Sequence, residues 1–384
     1  MPKMRLLAFL VLRALAEEAC IGGIWGFPPT PAEEPDADAL VQTLTHKVAT
    51  NASVASHSSS SLDCSSVHVK MQRGINIGNT FDYPGSSRKV EDVSKHVKWA
   101  QEQGFQHIRL PVTWDGHFDA DSSLAKSVTA VVDYAIGLGL YVVINTHHEK
   151  WLKDHYDGSK HFQDQFWNLW KDIATHFKNR SSLLIFEILN EPENAFGSWS
   201  GPWPKPFDQL SIDRTREINA VGYDAVRKVS QDRMVFLSPN AMANIATASY
   251  VYPNPTNLPG DGSDACLGVT VHTYDPWDFA GDTGHNSYYG TVERMKLGLY
   301  DVFRDLHIWQ FGSGTKLYIG EYGVGRRECC YEERNSELVR EYYRFVANHF
   351  RANGWACAAW DDPGWFAIYS KPEFGIHQHM LLPY

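Results

Sequence analysis

From residue 71 onward, short apolar runs alternate with longer segments of helical period, and this alternation restricts the fold more than any other feature of the chain. Strands are expected at 73–78, 106–110, 140–145, 183–190, 234–238, 267–272, 317–320 and 355–360, and helices at 90–103, 124–138, 162–177 and 209–229. In the helix at 162–177, Phe162, Phe166, Trp170, Ile173 and Phe177 fall on one face, which suits packing on a sheet. Eight strands over roughly 310 residues fit an α/β protein of the (β/α)8 TIM-barrel class, for which ~250 residues is usual. A doubly wound open sheet shows the same alternation. The barrel is preferred because polar residues recur at the end of nearly every strand, not at a single crevice. One domain at 67–384 is expected, with a short or irregular eighth helix because little chain follows the last strand.

The fourth strand, in the run LLIFEILNEP, reads as buried on both faces and delivers Asn190 and Glu191 to its end, where Pro192 stops the ladder. The seventh, in LYIGEYG, ends on Glu321. In a barrel these two ends face one another across the mouth, so two carboxyls from distant parts of the chain converge. A gap of about 5 to 5.5 Å suits retaining glycoside hydrolysis and about 6.5 to 9.5 Å inverting, and the sequence leaves that open. Arg109 ends the second strand and is placed to hold a carboxylate ionised. His147, His272 and Tyr274 end the third and sixth strands as hydrogen-bond donors. Trp360 ends the eighth with a flat face for a pyranose ring. Glu187 shares strand parity with Glu191 and is read as a structural carboxylate needing a partner such as an arginine.

No metal ion or other cofactor is expected. Adjacent strand residues face opposite ways, so His147 and His148 should not share an ion unless the strand has already ended, and Gly74 and Gly78 lack the Lys-Ser/Thr pair of a phosphate cradle. Trp167 and Trp170 belong to the packed stripe. Trp114, Trp199, Trp203, Trp277 and Trp365 lie beyond strand ends, where core packing and sugar stacking are both open.

A formal charge of −10 gives no basic footprint for nucleic acid, and the N-terminal apolar run is too short to span a membrane. Lys3 and Arg5, then the apolar run, then Ala14-Leu15-Ala16 match a secretory signal at 1–16, and the Ser- and Pro-rich 17–66 reads as a flexible leader. Export would suit one or two disulfides among six cysteines, of unreadable connectivity, and glycosylation at Asn51 and Asn179. An extracellular monomer is expected.

Seven motifs in order, GINIGNTFD, IRLPVTW, INTHHE, EILNEP, VHTYDPW, IGEYG and AAWDDPG, make the chain from Arg73 onward resemble family five of the glycoside hydrolases, the cellulase family. Asn79 in the first motif and the double histidine before Glu149 look most like its bacterial endoglucanase branch, although Ile75 stands where that branch often carries Trp. The resemblance implies Glu191 as acid/base, Glu321 as nucleophile and Asn190 on the sugar 2-hydroxyl. It also implies that Arg109, His147, His272 and Tyr274 shape the cleavage subsite around Trp360, with Asn79 and His148 as further sugar contacts. The implied substrate is a β-1,4-glucan, with xyloglucan, mixed-linkage glucan or mannan as alternatives, and a carbohydrate-binding protein without turnover as the rival of another class.

Overall fold

Strand β1 (Arg73–Asn76) pairs in parallel with β2 (His107–Leu110), and the ladder continues through β3 (Tyr141–Asn145), β4 (Leu184–Glu187), β5 (Val235–Leu237), β6 (Leu267–Thr273), β7 (Leu317–Tyr322) and β8 (Ala356–Ala359), which closes back onto β1. This computed structural model describes residues 64–83, 86 and 88–374; the signal expected at 1–16, nearly all of the expected leader, Asn51 and the last ten residues lie outside them. The barrel expected from the alternation is therefore the architecture of the described residues, and the open sheet is excluded.

Helices Val90–Glu102, Ser123–Gly137, Lys160–Phe177, Gln209–Val229, Val292–Ser313 and Glu337–Ala352 carry the chain between strands. Their starts are set locally: Ser122, Thr291 and Ser336 accept from the backbone N–H three residues on, satisfying donors that the first turn leaves free. Between β5 and β6 there are only short helical turns, and after β8 the described residues hold one 3-10 turn, Pro372–Phe374. No helix among the described residues is long and apolar enough to cross a membrane.

Inside the barrel, alternation along each strand stacks side chains in layers. The floor is apolar: Val143, Ile185, Phe236, Tyr318, Ala356 and Ala358 form one cluster with the helix Cys64–Met71. That helix straddles the boundary expected at residue 66 and is tied by a Cys64–Cys266 disulfide to the segment entering β6. Above the floor the inward residues turn polar, with Asn76 opposite Arg109 and Asn145 opposite Glu187 in the strand register. The apolar residues facing outward meet the helices, whose Trp170, on Lys160–Phe177, is fully buried.

Several strands are shorter than expected, β1 among them, and two departures bear on the site. β4 ends at Glu187, so residues 188–191 lie beyond the ladder, although Ile188 N–H still donates to Phe236 at 3.0 Å and Asn190 N–H to Thr146 at 2.9 Å. β7 runs on to Tyr322 and carries a bulge: Val271 pairs with Ile319, but His272 pairs with Glu321, leaving Gly320 without an opposite residue. A Cβ on Gly320 would sit 2.7 Å from Thr270 Oγ1 and 2.8 Å from His272 Nε2, which is why only glycine fits there.

Candidate active site

Arg109, wholly buried at the end of β2, uses all five of its N–H donors. Nε and Nη2 form a fork on Glu187 at 2.7 and 2.8 Å; Nη1 donates to Glu321 Oε1 at 2.7 Å and Asn76 Oδ1 at 2.9 Å; Nη2 also reaches Asn190 Oδ1 at 2.6 Å. Burial works against the charge on Glu187, but the guanidinium outweighs it and holds that carboxyl below its usual range. Glu187 is thus the structural anion expected of it. Strand parity with Glu191 is not the reason, because Glu191 is already off the strand, at a left-handed φ of 44°.

That turn of backbone brings Glu191 over the mouth. Its Oε1 lies 2.9 Å from His272 Nδ1, and the same nitrogen is 3.7 Å from Glu321 Oε2. Carboxylate oxygens of Glu191 and Glu321 and the His272 nitrogen all stand within 4.8 Å of one another. Tyr274 donates to Glu321 Oε2 at 2.8 Å. Glu321 therefore holds two strong donors, Arg109 and Tyr274, whereas Glu191 has, among the described residues, only the imidazole and keeps a fifth of its side chain exposed. Burial raises the pKa of both carboxyls; His272, Arg109 and the Tyr274 hydroxyl pull Glu321 back, while Lys153 and Arg109 pull Glu191 back. Burial pushes His272 down to about 4, so its ring is neutral at ordinary pH. Two carboxyls this close titrate as a pair, and the better-donated partner ionises first.

The remaining expected residues gather on one side of this pair. Asn190 lies between Arg109 and His147, its amide 3.3 Å from His147 Nε2. His147 stacks on Trp360, ring centres 5.9 Å apart, and meets the exposed His148 edge-on. Asn79 and the Trp360 indole each donate to Asp362 Oδ2 at 3.3 Å. Asp362 falls within the AAWDDPG motif without a role assigned to it, and Lys153, a buried lysine after β3, is marked by no motif.

Because β3 stops at Asn145, both histidines lie past the ladder, and Asp82, His147 and His148 each bring a possible ligand atom within 4.8 Å of the others. This is the exception foreseen for a strand that has already ended, and alternation does not separate the two histidines here. Two of the three are committed elsewhere: Asp82 accepts from the Thr80 and Asn79 N–H groups, and both His147 nitrogens face side-chain amides. Glu149 accepts from Trp114 N–H, Gly116 N–H and the Trp151 indole, and so pins the loop after β2. Trp114 is buried, with its indole on the Asn145 carbonyl, which makes it packing; Trp199 and Trp277 are half exposed, and Trp365 donates to Glu328.

The profile of the cellulase family, glycosyl hydrolase family 5, matches residues 73–362. Endoglucanase B of Clostridium cellulovorans is 30% identical over 327 residues, covering 80% of this chain and 70% of that protein. Endoglucanase H of Acetivibrio thermocellus is 28% identical over 76% of this chain, and Endoglucanase A of Clostridium longisporum 29% over 81%. The match spans 30% and 62% of those two relatives. Among solved structures, endoglucanase Cel5A of Thermotoga maritima superposes with a TM-score of 0.66 at 24% identity, covering 83% of this chain and 99% of that one. A broad-specificity endoglucanase of Clostridium longisporum gives 0.68 at 22%, covering 84% and 98%. These structures share the barrel. The profile match, spanning every strand and both facing glutamates, shows that the chain belongs to the cellulase family, glycosyl hydrolase family 5, with bacterial endoglucanases as its relatives.

Proposed function

We propose that this protein is a secreted, monomeric endo-β-1,4-glucanase that acts with retention of configuration and needs no cofactor. The observation that carries this is the meeting of Glu191 and Glu321 oxygens within 4.8 Å, an approach that favours the closer spacing of the retaining arrangement over the wider inverting one. Glu321, donated to by Arg109 and Tyr274, is the ionised nucleophile. Burial raises both carboxyls, and Glu191, with the poorer donor set, carries the proton.

Glu321 attacks the anomeric carbon while Glu191 gives its proton to the departing glycosidic oxygen. The carbon–oxygen bond breaks, and an ester joins the sugar to Glu321. Glu191, now a carboxylate, takes a proton from water as that water's oxygen attacks the same carbon, and Glu321 leaves as carboxylate. Asn190, held by Arg109 and facing His147, supplies an amide for the 2-hydroxyl. Trp360 offers its face to the ring, with Asn79, His147 and His148 at the ring's edge and His272 steadying the acid. Secretion draws support from the N-terminal sequence pattern and from the Cys64–Cys266 disulfide, which persists in oxidising compartments.

Release of reducing ends from carboxymethylcellulose tests the reading, with Glu321→Ala as control and the anomer of the first product followed by NMR. One structural relative is titled a broad-specificity enzyme, so xyloglucan, mixed-linkage glucan and mannan belong in the same panel. Activity lost in the variant and a β product support the proposal. No turnover of any of the four would leave a carbohydrate-binding protein in its place.

A further inference from the structure

Cys329 and Cys330 stand next to each other in the 3-10 stretch Glu328–Asn335 that follows β7, and their sulfurs are 2.7 Å apart. Successive side chains of a 3-10 turn point about 120° apart, so neighbouring thiols there ordinarily face away from each other. The backbone leaves the helical region at Cys330, at φ −138° and ψ 21°, and the two thiols meet. A disulfide brings its sulfurs to about 2.05 Å, so bond formation here needs a movement of less than about 1 Å. Cys329 is exposed and Cys330 partly so, whereas Cys357 is buried on β8 and Cys64 is already bonded to Cys266. The contact with Cys329 pushes the Cys330 thiol up to about 11, and Glu333 and Glu332 add to this, which disfavours a lone thiolate acting as nucleophile or metal ligand.

The residues on either side of this pair grip Trp365, in the loop beyond Trp360. Arg326 N–H donates to the Trp365 carbonyl at 3.0 Å, and Arg334 Nη1 to the same oxygen at 3.1 Å. The Arg327 guanidinium lies over the indole, 4.9 Å from its centre, and the indole N–H donates to Glu328 Oε1 at 3.0 Å. A bond between the two sulfurs closes a small ring in the backbone between these contacts and so fixes the spacing of one set from the other. Adjacent Cα atoms are about 3.8 Å apart, below the 4.4–6.8 Å usual across a disulfide, so such a bond forms under strain and is readily reduced.

We propose that Cys329 and Cys330 form a modification site: a reversible disulfide between neighbours, closed by exchange with a disulfide-bearing oxidant, that steadies the loop holding Trp365. Two S–H bonds break and one S–S bond forms within the chain. The S–S bond of the oxidant takes up the two electrons and two protons and ends as two thiols. The Cys64–Cys266 bridge is evidence that the chain meets such chemistry, and the proposal is independent of turnover.

The full chain is treated with oxidised glutathione, then unfolded and alkylated, and its peptides are weighed before and after brief exposure to dithiothreitol. The expected peptide holding Cys329 and Cys330 is two hydrogens lighter than the dithiol and takes no label. After the reductant both cysteines should be labelled while the buried Cys64 and Cys266 remain blocked. Amide exchange at 326–335 and 363–369 should be slower by about threefold or more in the oxidised protein, as the ring removes local opening. Cys329→Ser should show no such redox dependence, with thermal melting as the check on folding; if it does not fold, Cys330→Ser is read by the same criteria. Two labelled thiols after the oxidant, a glutathione left on either cysteine, or a bridge to Cys20 or to a second chain overturns the proposal. So does equal exchange in the two states of the wild type, or a redox-dependent change of the same size in the serine variant.

Discussion

Arg109 gives Glu187 a two-point fork at 2.7 and 2.8 Å and Glu321 a single bond at 2.7 Å, so one guanidinium anchors a structural anion and a candidate nucleophile together. The fork fixes the plane of the guanidinium, and the plane aims Nη1 at Glu321. Glu187→Ala leaves a buried cation with half its neutralising charge removed. Breaking a buried pair in this way costs about 3–5 kcal/mol, and chemical denaturation should show a loss of that size. Activity should fall more than stability alone explains, because Arg109 is then free to turn away from Glu321. Wild-type kcat in folded Glu187→Ala would mean that the fork positions nothing.

The acidic limb of the pH–rate profile should respond to Tyr274. Under the proposed mechanism Glu321 must be ionised and Glu191 protonated, so the acidic limb follows Glu321 and the basic limb Glu191. Burial raises both, which sets both limbs above the ordinary carboxylate range. The Tyr274 hydroxyl donates to the Glu321 carboxylate and thereby favours its charged form. Tyr274→Phe removes that donor, Glu321 binds its proton more tightly, and the acidic limb moves to higher pH while the basic limb stays. A profile of kcat/KM against pH in both proteins checks the direction, and a shift to lower pH would contradict it.

The Cys64–Cys266 bridge spans 202 residues and clamps the floor helix against the strand entry at β6. Chain entropy makes a bridge over so long a loop worth about 2–5 kcal/mol. Cys64→Ser should lower the denaturation midpoint correspondingly, and the wild type in reductant should match it. Activity at low temperature should persist, because the bridge lies at the opposite end of the barrel from Glu191 and Glu321.

Much of this organisation is legible in the residues themselves, and the exceptions have physical causes. Alternating apolar runs mark the eight strands, and the helix expected at 209–229 is found as Gln209–Val229, although its buried stripe also carries Ser211, Thr215 and Asn219. The polar residues at strand ends do converge, as two-residue periodicity within a closed barrel demands. Glu321 is the instructive exception. Tyr318 points inward with the floor cluster, so strict alternation would aim Gly320 inward and Glu321 outward; the bulge after Ile319 reverses this. A bulge depends on the pairing strand, so β7 alone does not reveal it. Lys153 is hidden for a similar reason, because its burial comes from neighbours distant in sequence. The floor helix is hidden as well: Cys64–Met71 is weakly amphipathic by itself and gains its apolar surroundings only once the barrel has closed beneath it.

Gly78 sets the position of the ring on which a sugar would stack. A Cβ at Gly78 would lie 2.6 Å from the Trp360 indole, closer than carbon atoms approach without one of them moving. The indole has little freedom to give way: its Nε1 is bonded to Asp362, and His147 stacks near it. Gly78→Ala is therefore expected to push Trp360 out of place and raise KM for cello-oligosaccharides by about tenfold, comparable to the loss of one aromatic contact of about 1 kcal/mol or slightly more. Stability should change less than in Trp360→Ala, which removes the whole buried ring and costs about 3–5 kcal/mol. Steady-state kinetics and melting of the two variants side by side separate the cases. If Gly78→Ala leaves KM unchanged, the indole tolerates displacement and the close approach has no bearing on binding.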